Sequence, residues 1–335
     1  MAVPGGRRDA PGGGGADGGA VGHPGSARTR PGPRFDLNVG PQGYAWWYVD
    51  ALSDDGTHGL TIIAFIGSVF SPYYWARGRR DPLDHVALNV AVYRPGGNRW
   101  AMTERGRGGL QRDADALTIG PSAMHWDGDA LVVDFTEVCA PIPRKLRGTA
   151  RITPDCLNTQ AFPLDLAGRH VWQPVAPRAR IEVTLSEPAL NWSGTAYVDT
   201  NTGTEPLEAG FADWQWSRAH LKADTAVFYE GVRRDRSTFA LALRFDEQGR
   251  AETVEMPRPA PLPRTGWRVN RSSRADDGIA QVVRTWEDSP FYARSTVAAR
   301  LFGEDTMAVH ESLSLDSFRH PLVKAMLPFR MPRRS

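Results

Sequence analysis

Two polar–aromatic pairs in one stretch of the sequence, residues 170–199, have the composition of a chemical site. The stretch begins with His170 and Trp172 and ends with Tyr197 and Asp199, so each pair has a spacing of two. In an extended strand, residues two apart point to the same face of the sheet. If both segments are strands that face one cavity, a carboxylic acid, an imidazole, an indole and a phenol meet there.

Asp199 is the candidate proton donor of this group. In an apolar pocket, loss of hydration disfavours the carboxylate and raises the pKa of the acid, which makes it a competent donor. His170 could orient the acid or activate a water, and the rings of Trp172 and Tyr197 could each stabilise a passing cation by about 0.5–2 kcal/mol. Plain structural roles stay open: a turn cap for Asp199, a hydrogen-bonded histidine, and core aromatics.

The composition indicates a globular protein without a strong charge bias. A chain of 335 residues is long enough for about two domains. Its 41% hydrophobic residues suffice for a sizeable core, and its net charge of +2 is too balanced for a nucleic-acid-binding domain. The 11 tryptophans favour aromatic cores, sugar platforms or a cavity for an extended apolar ligand.

Cysteine and histidine are too few and too scattered to predict a disulfide framework or a metal site. The sequence has two cysteines, Cys139 and Cys156, which favours a reducing compartment. His125, His220 and His310 have no ligand spacing. No apolar run approaches the roughly 18 residues of a membrane-spanning helix, and the N-terminus lacks the apolar core of a signal peptide. We therefore expect a cytoplasmic protein without a bound metal.

Short strands separated by turn signals run through the chain from about residue 43. The segments are rich in Val, Ile, Thr, Trp and Tyr, and turn sequences such as residues 54–56 and 95–97 divide them. We expect an all-β protein whose antiparallel strands form barrels or sandwiches. Residues 1–34 are nearly all Gly, Pro, Ala, Arg and Asp, a composition that predicts a disordered tail.

The tripeptide Tyr-Val-Asp occurs at residues 48–50 and again at residues 197–199. Each copy follows a tryptophan and precedes an apolar strand. We interpret this internal repeat as a duplicated β-domain, with one copy in residues 35–190 and the other in residues 191–335. The repeat also makes Asp50 an alternative to Asp199 as the acid.

The C-terminal segment mixes apolar and basic residues. Residues 316–327 predict one short helix, and further apolar and basic residues follow it. Such segments bind anionic membrane surfaces, although a tail that docks on the last β-domain explains the pattern equally well. Residues 70–81 form an aromatic, basic loop, which predicts either the mouth of an apolar site or a well-packed turn.

Four segments of the chain are uncommon enough to indicate a family. They are residues 59–74 (GLTIIAFIGSVFSPYY), 100–108 (WAMTERGRG), 119–122 (IGPS) and 210–218 (GFADWQWSR). Together they resemble the acyclic carotenoid 1,2-hydratase family, also called hydroxyneurosporene synthase, over about residues 36–330. The resemblance implies a cofactor-free hydratase of phototrophic bacteria, built from two lipocalin-like β-barrel domains in tandem.

The resemblance also implies a reaction and a site. Family members add water to the terminal C1–C2 double bond of acyclic carotenoids such as neurosporene and lycopene. The proposed donor of the family falls on Asp199, and its proposed helpers fall on His170, Trp172 and Tyr197. The implied partners are a carotenoid and water. Because such a polyene dissolves only in membrane, the basic and apolar C-terminal segment predicts peripheral contact with the inner or photosynthetic membrane, and the balanced charge predicts no nucleic-acid partner. From the residues alone, an isoprenoid carrier and a glycosidase with paired carboxylates remain alternatives.

Overall fold

The first strand of the chain is buried on both of its faces. The computed structural model describes residues 32–334, and β1 (Tyr44–Ser53) is buried along nearly its whole length. Ala45 and Trp47 point into one hydrophobic core, whereas Trp46 and Tyr48 point into another. Because successive residues of a strand face opposite sides, β1 must have a packed layer on each side.

The next eleven strands along the chain belong to the same sheet as β1. They are β2 (Gly59–Ile66), β3 (Val86–Tyr93), β4 (Arg99–Arg105), β5 (Leu110–Arg112), β6 (Ala116–Ile119), β7 (Ser122–Asp127), β8 (Ala130–Val138), β9 (Lys145–Pro154), β10 (Phe162–Pro163), β11 (His170–Glu187) and β12 (Ala189–Gly203). One α-helical turn, α1 (Pro72–Ala76), follows β2.

The second half of the described chain contains further strands and three short helices. The strands are β13 (Phe211–His220), β14 (Thr225–Arg233), β15 (Thr238–Phe245), β16 (Ala251–Thr253), β17 (Arg258–Leu262), β18 (Arg271–Ala275), β19 (Ala280–Asp288), β20 (Tyr292–Leu301), β21 (Glu304–Ser314) and β22 (Arg333–Arg334). The helices are α2 (Leu207–Gly210), α3 (Leu315–Arg319) and α4 (Pro321–Arg330).

The first sheet curls around an aliphatic core into a lipocalin-like barrel. Its strand order is β22–β4–β3–β2–β1–β12–β11–β9–β8–β7–β6–β5, with β10 paired to β11. All of these pairings are antiparallel except that of β22 with β4. The curled sheet brings β4 to β8, where the buried guanidinium of Arg105 donates to Glu137 across 2.8 Å. Twisted strands close large sheets in this way.

The second sheet packs against the first through an aromatic layer. Its order is β16–β15–β14–β13–β21–β20–β19, and β17 and β18 form a separate ribbon. Trp214 and Trp216 of β13 meet Trp46 and Tyr48 of β1 in this layer. The prediction of an all-β protein with two curled, lipocalin-like β-units and a short C-terminal helical segment is confirmed. The predicted disordered tail lies outside the described residues, apart from residues 32–34.

The two Tyr-Val-Asp copies are neighbours within the first sheet. β1 and β12 pair antiparallel, with Val49 opposite Val198. The two tripeptides are therefore not equivalent strands of two duplicated domains, and that interpretation of the repeat is wrong. The predicted boundary between residues 190 and 191 falls inside the β11–β12 hairpin, and the chain leaves the first sheet only after Gly203.

The C-terminal segment forms two helices in place of the single predicted one. α3 and α4 are separated at His320, whose backbone is extended, with φ −60° and ψ 131°. The ring of Pro321 disfavours the α conformation for the residue before it, which explains the break. Within residues 32–334, no helix has both the length and the apolar character needed to cross a membrane.

Candidate active site

A cavity of about 380 Å³ lies in the aromatic layer between the two sheets. The first sheet contributes walls from β1–β4 and β12, and the second contributes walls from β13, β14 and β21. α4 covers another side of the cavity. The aromatic wall includes Trp46, Tyr48, Trp100, Trp214, Trp216 and Tyr229. The site is therefore built between the sheets and needs both of them.

Asp199 is a buried acid in the wall of this cavity. Its Oδ2 accepts hydrogen bonds from the indole Nε1 of Trp172 at 2.9 Å and from the hydroxyl of Tyr197 at 3.1 Å. Its Oδ1 is buried and has no hydrogen-bond partner within residues 32–334. Burial raises the pKa of Asp199 to about 7, although the two hydrogen bonds act to lower it. The side chain can therefore carry a proton near neutral pH.

Strand geometry brings Trp172 and Tyr197 to Asp199. Tyr197 and Asp199 are two apart on β12 and share a face, and β11 places Trp172 opposite Asn201, the next residue on that face. Both aromatic side chains are fully buried. They contact the carboxylate from behind the cavity wall, so they act on Asp199 as hydrogen-bond donors.

His170 lies on the same face of β11 as Trp172, but its ring is engaged by other side chains. Nδ1 is 2.9 Å from the hydroxyl of Tyr44, and Nε2 is 3.1 Å from a carboxylate oxygen of Glu205. Burial lowers the pKa of His170, whereas Glu205 raises it by less. The structure therefore places the imidazole with Tyr44 and Glu205 and not with Asp199.

Asp50, the alternative acid, is enclosed by two buried guanidinium groups. One carboxylate oxygen accepts from Nε of Arg218 at 2.6 Å, and the other forms an ion pair with Arg294. Arg294 also pairs with Glu311 at 2.5 Å. Because this network joins β1 of the first sheet to β13, β20 and β21 of the second, Asp50 holds the two sheets together.

Among the polar residues that line the cavity, Asn201 and Glu311 were not identified as site residues from the sequence. Asn201 lines the cavity, and its buried Oδ1 has no hydrogen-bond partner in the described part of the chain. Its spacing of two from Asp199 was the signal that could have found it. Glu311 accepts a hydrogen bond from the hydroxyl of Tyr48 at 2.6 Å, and its charge raises the pKa of Asp199. No sequence pattern connects Glu311, on β21, with β12.

The fold and the site define an all-β protein with a buried acid in an apolar cavity between two β-sheets. Residues 62–335, more than half of the chain, match the family described as carotenoid hydratase CrtC. The chain belongs to this carotenoid hydratase family, and the resemblance noted in its sequence is confirmed.

Relatives with known names agree with this assignment. The chain is 55% identical over 324 residues to an acyclic carotenoid 1,2-hydratase of Thiocapsa roseopersicina, which covers 95% of this chain and 80% of that relative. It is 50% identical over 310 residues to the enzyme of the same name from Rubrivivax gelatinosus. That alignment covers 90% of this chain and 76% of the relative. Among solved structures, a Nitrosomonas europaea protein provisionally assigned as AttH aligns with a TM-score of 0.56 at 14% identity, covering 86% of this chain and 99% of that one. At that identity, the likeness concerns the fold alone.

Proposed function

We propose that this protein adds water to the terminal C1–C2 double bond of acyclic carotenoids such as neurosporene and lycopene, and leaves a tertiary alcohol at C1. The observation that carries the proposal is Asp199, a buried acid with a pKa of about 7 in the wall of an aromatic cavity, whose Oδ1 has no partner among the described residues. The names of the relatives support the substrate class.

Asp199 donates the proton in the first step. Its Oδ2 already accepts two hydrogen bonds, so the transferable proton sits on Oδ1. Transfer to C2 leaves a tertiary cation at C1 and a carboxylate on Asp199. The indole of Trp172 and the hydroxyl of Tyr197 stabilise this carboxylate, because hydrogen bonds to a charged acceptor are stronger than those to a neutral one.

Aromatic rings on the cavity side then face the cation. The ring centroids of Tyr48 and Trp216 are 5.7 Å apart, and Tyr48 is directly opposite Asp199 in the β1–β12 register. A cation over a desolvated aromatic face gains up to about 2 kcal/mol. We assign to these rings the stabilising role that the sequence predicts for Trp172 and Tyr197, which lie behind the acid.

Water completes the reaction at C1. The Oδ1 of Asn201, unpaired within the described residues, is on the same strand face as Asp199 and can accept a hydrogen bond from the attacking water. As the C–O bond forms, the excess proton passes to the Asp199 carboxylate, which regenerates the acid. His170 supports the site indirectly, because its bonds to Tyr44 and Glu205 fix the segment of β11 that carries Trp172.

Product analysis tests the proposed reaction. Purified protein is incubated with neurosporene or lycopene in detergent, and the pigments are separated and weighed by mass spectrometry. We expect a 1-hydroxy product that has gained one water, and in deuterated water a non-exchangeable deuterium at C2. Pigment that binds but stays unchanged would show a carrier, and sugar release from an oligosaccharide panel would show a glycosidase.

The rate of hydration should fall as the pH rises through about 7. Only the protonated form of Asp199 can donate, and that form is lost above its pKa. Trp172→Phe removes a hydrogen bond that stabilises the carboxylate, so the pKa of Asp199 rises. Loss of a hydrogen bond worth about 1.5 kcal/mol shifts the falling limb of the pH–rate profile roughly one pH unit upward. The measurement is the rate of product formation against pH.

A matched variant controls for the loss of an indole. Trp47→Phe changes an equally buried tryptophan that packs in the first-sheet core and does not contact Asp199. Its pH profile should coincide with that of the wild type. If Trp172→Phe left the limb in place, the hydrogen bond to Asp199 would have no part in tuning the acid.

A further inference from the structure

Helix α4 is apolar on two opposite faces. Val323 and Leu327 line the cavity, as expected for residues four apart on one helix face. Leu322 and Phe329, seven apart, are 69% and 74% exposed and form what we call the outer face of α4. Exposed clusters of large apolar side chains mark interaction surfaces, so the outer face calls for an apolar partner.

The surroundings of the outer face are basic and aromatic. After Asp316 the sequence contains five basic residues and no acidic one. Arg319, Arg330 and Arg334 are exposed. Lys324 and Arg333 are partly buried and pair with acids of the fold, Lys324 with Glu208 and Arg333 with Asp84 and Glu104. The indole of Trp75 on α1 is 49% exposed and lies 4.4 Å from the Nζ of Lys324. Exposed apolar side chains with cations and a tryptophan beside them match the interface of an anionic bilayer.

The same helix joins this surface to the cavity. α4 presents Leu327 to the cavity and Phe329 to solvent within a single turn. A substrate that is a long apolar polyene dissolves in a bilayer and not in water. Docking by the outer face would therefore hold the cavity next to the phase in which such a substrate resides.

We propose that the outer face of α4, together with Trp75, docks on an anionic phospholipid bilayer and holds the cavity against it. The role of the bilayer as the source of carotenoid rests on the proposed function, whereas docking itself does not. The occupant is a lipid surface because the cations around the patch complement anionic headgroups, whose attraction is weakened by salt.

Vesicle sedimentation tests docking in the absence of carotenoid. Full-length protein is mixed with phosphatidylcholine vesicles that contain or lack phosphatidylglycerol, at low and high salt. We expect binding to the anionic vesicles that salt weakens, and a loss of roughly tenfold or more in Leu322→Ser/Phe329→Ser, which removes two apolar anchors. Ile279→Ser/Val283→Ser changes two residues of similar exposure, outside the cavity lining, and should bind like the wild type.

Further measurements separate docking from catalysis and from folding. Asp199→Asn should bind vesicles like the wild type, so failed chemistry and failed docking are distinguishable. The outer-face variant should lose turnover of vesicle-embedded carotenoid and keep turnover in detergent. Should that variant misfold, Arg319→Gln/Arg334→Gln tests the charge contribution instead. Equal vesicle binding by wild type and folded variants would overturn the proposal, as would a dimer in vesicle-free buffer that the outer-face variant dissociates.

Discussion

Asp199→Asn should abolish hydration in a protein that still folds and still binds carotenoid. Asparagine has nearly the same shape, and its carbonyl oxygen can keep the hydrogen bonds from Trp172 and Tyr197. It has no acidic proton to give to C2. General acid catalysis contributes about 10²–10⁴-fold, so we expect a loss of at least that order in the rate of 1-hydroxy product formation.

Binding and stability must be measured on the same sample. Carotenoid binding is followed by quenching of tryptophan fluorescence, because the cavity wall is rich in indoles, and folding is followed by thermal unfolding. Asp134→Asn is the matched control, since Asp134 is a half-buried acid of β8 outside the cavity lining. Wild-type turnover by a folded Asp199→Asn protein would remove Asp199 from the mechanism.

Asp50→Asn should act on stability, with an expected loss of about 3–5 kcal/mol in the free energy of unfolding. The carboxylate of Asp50 lies between the guanidinium groups of Arg218 and Arg294, and all three side chains are almost completely buried. Removing one partner of a buried ion pair leaves an uncompensated charge in the interior, which costs an amount of this order. Urea unfolding followed by circular dichroism measures the change.

A surface ion pair provides the comparison. Asp54 accepts two hydrogen bonds from Arg180 at 2.7 and 2.8 Å, but both side chains are more than half exposed. Asp54→Asn should therefore change the free energy of unfolding by less than about 1 kcal/mol. If Asp50→Asn were as stable as the wild type yet inactive, while Asp199→Asn kept its turnover, Asp50 would be the acid and the assignment of Asp199 would fail.

The sequence predicted those features that depend only on the alternation of side chains along a strand. Alternation along β12 predicts that Tyr197 and Asp199 share a face, and the strand patterns predict an all-β fold. Alternation also holds for Asp50, which lies on the same face of β1 as Tyr48. A period of two therefore shows which residues share a face, but it cannot distinguish a proton donor from a member of an ion-pair network.

Partners from distant strands could not be predicted in this way. The ring of His170 meets Tyr44 because β1 and β11 both pair with β12, and its other partner, Glu205, comes after β12. Glu311 reaches Tyr48 from the second sheet. Each contact depends on strand order and on the packing of one sheet against the other, to which residues far apart in the chain contribute.

By itself, the sequence determined the fold class, the family and the shared strand face of Tyr197 and Asp199, because these follow from local alternation and from long family segments. Only the tertiary structure decided that the cavity lies between the sheets and that Asp50 is held in ion pairs, while one oxygen of Asp199 has no hydrogen-bond partner within residues 32–334. The physical reason is desolvation. Burial raises the pKa of an acid only where the packed surroundings supply no compensating charge, and those surroundings exist only once the two sheets meet.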